Sequence, residues 1–118
     1  MSIPAKLVWS IGFLIGTAFH AFDIWQGGWL PYTFRPLPWN VYWTSLVAFD
    51  LLAATLIWVR ERGAIVLGCL IMLSNVVVNG YTAFVVGIEA FYFGLLFQVP
   101  FTAFVLHCAY RATIEDRT

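Results

Sequence analysis

Among the polar side chains of a largely apolar sequence, six stand out: His20, Asp23, Asp50, Asn75, Asn79 and Gln98. A carboxylate in such surroundings can hold a cation or exchange a proton, and an imidazole can carry a proton or relay one. An amide changes charge under neither condition. Its ordinary work in an apolar helix is to hydrogen-bond a neighbouring helix, at roughly 0.6–2 kcal/mol per contact. Asp50 is the most informative of the six, because an amide or hydroxyl would hold helices together without the cost of a charge. No lysine or arginine lies between Lys6 and Arg35, between Arg35 and Arg60, or between Arg62 and Arg111. The partner of Asp50 is therefore expected to be a proton, a protonated His20 or an external cation. The six residues together form the expected ligand-binding site, and no catalytic residue is assigned.

Helical spacing arranges these residues in stripes. Gly12, Gly16 and His20 recur every four residues, with Asp23 one turn beyond. Asp50 shares a stripe with Val47 and Ala54, Asn75 and Asn79 share one with Gly68, Met72 and Thr82, and Gln98 aligns with Gly94 and Thr102. A rise of about 1.5 Å per residue puts Asp50 and Asn75 near a midplane and His20, Asn79 and Gln98 within a turn outside it. Asp23 falls near the outer boundary. His107 is out of phase with Gln98 and close to the opposite boundary, so it is expected outside the site, at an interface. The same arithmetic disfavours a haem held between His20 and His107. His20 and Asp23, with Asp50, would make a mixed nitrogen–oxygen metal set, but that spacing is common by chance and no metal is expected. No cofactor is implied.

The elements that position these groups follow from composition. Of 118 residues 62% are apolar and 10% charged, with six basic and six acidic side chains. A soluble domain of this size needs far more polar surface, and a balanced charge offers no footprint for nucleic acid. Four stretches approach the roughly 20 apolar residues that a bilayer requires: 5–25, 39–59, 64–86 and 91–110. They lack the alternation of barrel strands. The first stretch lacks the small-residue pair of a cleavage site and is expected to be retained as a helix. The expectation is an all-α integral membrane protein, one domain of four transmembrane helices in an up-down-up-down bundle. Five of six basic side chains (Lys6, Arg60, Arg62, Arg111 and Arg117) fall on one side and Arg35 on the other. That bias puts both termini in the cytoplasm, and the expected location is a bacterial inner membrane. Cys69 and Cys108 then face a reducing compartment as inert thiols. Pro100 is expected to kink the last helix or free the carbonyl of Leu96. The tryptophans and tyrosines around residues 25–43 suit the headgroup layer.

An acidic residue late in the first of four helices, Asp23, with an intramembrane carboxylate elsewhere, Asp50, resembles the plan of the sterol-isomerase and emopamil-binding superfamily. The resemblance is one of architecture and implies a lipid-modifying, isomerase-like activity. No residue role is carried over from it. Motifs of soluble enzymes are absent: there is no G-x-S-x-G, phosphate-binding loop or C-x-x-C. The polar site itself points to binding or transport of a small cationic, protonatable or amphipathic molecule. Two other readings stand beside it. One is an accessory subunit of a larger membrane complex, its polar groups serving only to hold helices together. The other is a membrane-embedded enzyme using Asp23, Asp50 or His20 as acid or base. The expected partners are the lipid bilayer, a small molecule or ion, and a second copy or a larger complex, since a bundle this small encloses little space.

Overall fold

The computed structural model describes residues 1–117; Thr118 lies outside the described residues. The architecture is all-helical, and no strand occurs among the described residues. Helix α1 spans Ile3–Gly27, α2 Leu37–Leu56, α3 Glu61–Tyr81 and α4 Ala90–Arg117, with a π-helical turn at Thr82–Val86 extending α3. Among the described residues three stretches are long and apolar enough to cross a membrane: Ile3–Gly27, Glu61–Val86 and Ala90–Asp116. Four were expected. The difference is α2, whose 20 residues match a bilayer in length but include Asn40, Thr44, Ser45, Asp50 and Thr55. The buried carboxylate of Asp50 lies in this helix.

The ends of the helices have local causes. Ser2 caps α1, its hydroxyl accepting from the amide of Ala5 at 3.2 Å, and Pro4 occupies the first turn, where a missing N–H costs nothing. At the other end Gly28 takes a φ of +80°, a conformation open to glycine. Pro36 and Pro38 frame the start of α2. That helix stops at Leu56, three residues before the expected boundary, and the amides of Trp58 and Val59 turn back to Thr55 and Leu56. The last helix runs on past residue 110. Pro100 sits inside it without ending it.

The described residues fall into two compact units, residues 2–64 and residues 65 onward. In the first, α1 and α2 run antiparallel. The indole of Trp9 donates to the carbonyl of Ala53 at 3.0 Å, and the Ser10 hydroxyl donates to that of Ala54 at 2.8 Å. Trp58 donates in turn to the Ser10 oxygen at 2.7 Å, and the Lys6 ammonium lies 5.8 Å from the Trp58 ring centre. Trp9, Phe13, Trp43, Leu46, Ala53, Ala54 and Ile57 are buried. Lipid tails are as apolar as these side chains, so in a membrane such a hairpin is held by close packing and interhelical hydrogen bonds. The outward faces carry Phe19, Phe22 and Trp25.

In the second unit Gly68, Ile71, Met72, Asn75, Asn79 and Thr82 are buried at helical spacing along one face of α3 and its extension. Gly87 closes the π turn at a φ of +87°, and its amide bonds the carbonyl of Thr82, five residues back, at 3.1 Å. The short connection brings Tyr92 against Phe84, ring centres 5.0 Å apart. Along α4, Phe97, Phe101 and Phe104 stack in series.

Candidate functional site

The loop of the first hairpin is held by a residue of the helix that follows it. Asn40 lies in the first turns of α2 and is buried. Its amide nitrogen donates to the carbonyl of Leu30 at 2.9 Å, and its oxygen accepts from the backbone amide of Tyr32 at 3.0 Å. The Thr44 hydroxyl donates to the same oxygen at 3.3 Å. One side chain thus satisfies both a donor and an acceptor of the loop, as a strand partner would. Leu30 adopts a φ of 55°, an uncommon conformation for a residue with a β-carbon. The clamp on its carbonyl holds it there. The ring of Tyr32 is packed among Trp43, 5.5 Å away, and Phe34, 6.3 Å away.

So placed, the phenol of Tyr32 lies between two polar groups of α1. It donates to Asp23 Oδ2 at 2.7 Å and meets His20 Nδ1 at 2.7 Å. A phenol has one proton. With that proton directed to Asp23, the Tyr32 oxygen can only accept from His20, so Nδ1 carries hydrogen and Nε2 is the nitrogen free to gain or lose one. Burial, and then the hydrogen bond to Asp23 and its charge, raise the Tyr32 phenol above its ordinary range. It therefore remains a neutral donor throughout the physiological range. On the other side of the imidazole, Nε2 faces Asp50 Oδ2 at 4.0 Å, close enough for charge attraction and beyond hydrogen-bond reach. Asp50 is buried. It fits because α1 presents Gly16 at that level: a β-carbon there would stand 2.6 Å from Asp50 Oδ2.

Of the six residues expected to form the site, His20, Asp23 and Asp50 come together in this hairpin, joined by Tyr32. Asn75, Asn79 and Gln98 belong to the other unit. There Asn79 donates to Gln98 Oε1 at 2.8 Å, Asn75 is buried on the same face of α3, and Thr102 returns its hydroxyl to the Gln98 carbonyl at 2.6 Å. His107 is exposed on α4. Cys69 is half-buried and Cys108 is buried, and neither forms a disulfide among the described residues.

Two members of the cluster were not among the expected residues. Tyr32 counts by composition as one more aromatic of the headgroup layer, and Asn40 as a polar residue at a helix start. A signal exists for Asn40, since an asparagine in the first turn of a helix can reach back to the preceding backbone. For Tyr32 there is none, because only the fold of the loop over α1 brings the phenol to His20 and Asp23. Among the described residues no group of three or more His, Cys, Asp or Glu is disposed to hold a metal ion, and Tyr32 itself separates His20 Nδ1 from Asp23. Comparison with protein-family models, with curated proteins and with solved structures finds no match to this chain.

The chemistry open to the cluster follows from its charges. Two carboxyl groups flank a single imidazole, and even with His20 protonated the carboxylates outnumber it. In an apolar hairpin that imbalance favours taking up a proton or another cation.

Proposed function

We propose that this is a membrane protein that binds, and carries or responds to, a small cation or protonatable molecule at Asp50 and His20. The observation that carries this reading is the buried carboxylate of Asp50 with His20 Nε2 4.0 Å away as its basic neighbour and a second carboxylate, Asp23, one hydroxyl beyond the ring. Asn40 acts by holding the loop. The test is titration calorimetry of the detergent-purified protein with sodium, potassium, tetraphenylphosphonium and a lipophilic tertiary amine, across a range of pH. Asp50→Asn keeps the shape and most of the hydrogen bonding while removing the charge. It is expected to weaken the bound probe, or the uptake of protons, by about tenfold or more, with helix content and elution volume retained. Equal binding by both proteins would sink the reading.

The alternative of an accessory subunit draws on the second unit, where the Asn79 amide donates to Gln98 Oε1, a bond of the kind interhelical amides make when they serve packing. Unchanged behaviour of Asp50→Asn, together with co-purification of a stoichiometric partner, would favour it.

The basic residues support an orientation with both termini in the cytoplasm, here of a bacterial inner membrane, and with the loop of the first hairpin outside. A cysteine introduced at Thr33 is then expected to react with an impermeant thiol reagent in intact cells. One introduced at Glu61 is expected to react only after the membrane is opened. The reverse pattern would invert the protein and turn the Tyr32 end of the cluster toward the cytoplasm.

A further inference from the structure

The order of groups along the hairpin is Asp50, His20, Tyr32, Asp23, and it leads from the buried middle of α2 to the end of α1. Asp50 is buried, whereas Asp23 is half-buried and stands one turn before the helix ends at Gly27. Two of the three steps are hydrogen bonds of 2.7 Å, and the third is the 4.0 Å approach of Asp50 to the ring. Tyr32 both accepts and donates a hydrogen bond, and the imidazole turns one ring nitrogen to each neighbour, so each intermediate member can take a proton on one side and release one on the other. The titratable groups facing the imidazole within the hairpin are Asp23 from its own helix, Tyr32 from the loop and Asp50 from α2.

We infer that these four side chains form a proton relay that loads and unloads Asp50 from the loop end of the hairpin, so that the proton is a substrate or coupling ion of the site. The inference rests on the reading of Asp50 and His20 as a cation site and specifies which cation reaches it and by what route. In the unloading direction Asp50 starts as a carboxylic acid and Asp23 as a carboxylate. The Asp50 proton moves to His20 Nε2 as the carboxyl closes on the ring. The proton on Nδ1 passes to the Tyr32 oxygen, and the Tyr32 proton passes to Asp23 Oδ2. Asp50 ends as a carboxylate, His20 as the neutral Nε2–H tautomer, Tyr32 as a neutral phenol and Asp23 as a carboxylic acid that can deliver its proton to water. Three O–H or N–H bonds break and three form. One negative charge moves from Asp23 to Asp50, and none is created.

The arrangement also explains why a tyrosine occupies the bridge. Phenylalanine would fill the same space between Trp43 and Phe34 but would leave His20 Nδ1 without its acceptor and cut the series in two. Serine or threonine could not span from the loop to α1 at that position.

The experiment is a stopped-flow acid jump on the protein in lipid nanodiscs, followed by infrared absorption of the carboxyl C=O stretch. The Asp50 band is identified as the one missing in Asp50→Asn. In Tyr32→Phe the rate at which this band appears is expected to fall by about tenfold or more, and the solvent deuterium isotope effect on it to change. Asp23→Asn, which keeps a hydrogen-bond acceptor but cannot take up the proton, is expected to slow it as well, and it serves if Tyr32→Phe does not fold. A wild-type rate in a folded Tyr32→Phe or Asp23→Asn protein would overturn the relay alone. Absence of any Asp50-dependent band would overturn the relay too. Should Asp50→Asn in addition leave probe binding unchanged, the cation-site reading would fall with it.

Discussion

Gly16→Ala is expected to destabilise the first hairpin by about 1–3 kcal/mol, although alanine is the better helix former by about 1 kcal/mol. The reason is local. The added methyl would lie 2.6 Å from Asp50 Oδ2 and 3.2 Å from its Cγ, so the carboxyl must swing away or the helices must part. Either response disturbs the 4.0 Å approach of Asp50 to His20 Nε2. The claim can be isolated by a double-mutant cycle with Asp50→Ala. Once the carboxyl is gone, Gly16→Ala has nothing to strike, and its helix propensity should leave it neutral or stabilising. The sign of the substitution is thus expected to reverse between the two backgrounds, read as the midpoint of thermal unfolding in detergent. The same loss in both would show that Gly16 serves the packing of backbones in general, as small residues in membrane helices often do, and not the accommodation of Asp50.

Replacing Asn40 by leucine is expected to cost about 2–4 kcal/mol. Leucine matches the volume but strands the amide of Tyr32 and the carbonyl of Leu30, and a buried group deprived of its partner costs about 1–3 kcal/mol. The loss should spread beyond stability. Leu30 would no longer be held at its φ of 55°, the loop would relax, and the Tyr32 phenol would leave His20 and Asp23. Asn40→Asp separates the two bonds, because a carboxylate can still accept from the Tyr32 amide but cannot donate to Leu30. It is expected to fall between wild type and leucine in unfolding, with the Tyr32 amide still protected from hydrogen exchange. In Asn40→Leu that amide should exchange at the rate of an open loop. Protection equal to wild type in the leucine variant would show that the loop is shaped by its aromatic packing and not by the asparagine.

Much of this protein is legible in its residues alone. An apolar fraction of 62% in a chain of this length leaves few alternatives to membrane helices, since the physics concerned, transfer of side chains to hydrocarbon and satisfaction of every backbone group, depends on composition and run length alone. The stripe of Gly16, His20 and Asp23, and that of Asn75 and Asn79, follow from a period of 3.6 residues and need no partner to be seen. Local spacing also separates His107, exposed on α4, from the residues proposed for the site. The boundary at Leu56 and the π turn at Thr82–Val86 are less legible, because they depend on a few backbone hydrogen bonds near a helix end, where competing patterns differ little in energy.

The polar groups show where local information stops. Sequence spacing can rank Asp50 above the amides and can place His20 at a similar depth, because charge and helical rise are properties of single elements. It cannot say that Tyr32 folds back between His20 and Asp23, nor that Asn40 holds it there. Those contacts join residues 8 to 12 positions apart across a turn whose path no periodicity describes. Nor can it tell a packing glycine from one that makes room for a carboxylate. Gly12 and Gly16 look alike in the chain, and only the antiparallel register of α1 against α2, set by Trp9 on Ala53 and Ser10 on Ala54, brings Gly16 to Asp50. Helices and their burial in lipid are decided by each segment for itself. The order Asp50, His20, Tyr32, Asp23 is decided by register and loop geometry, which exist only when two segments meet.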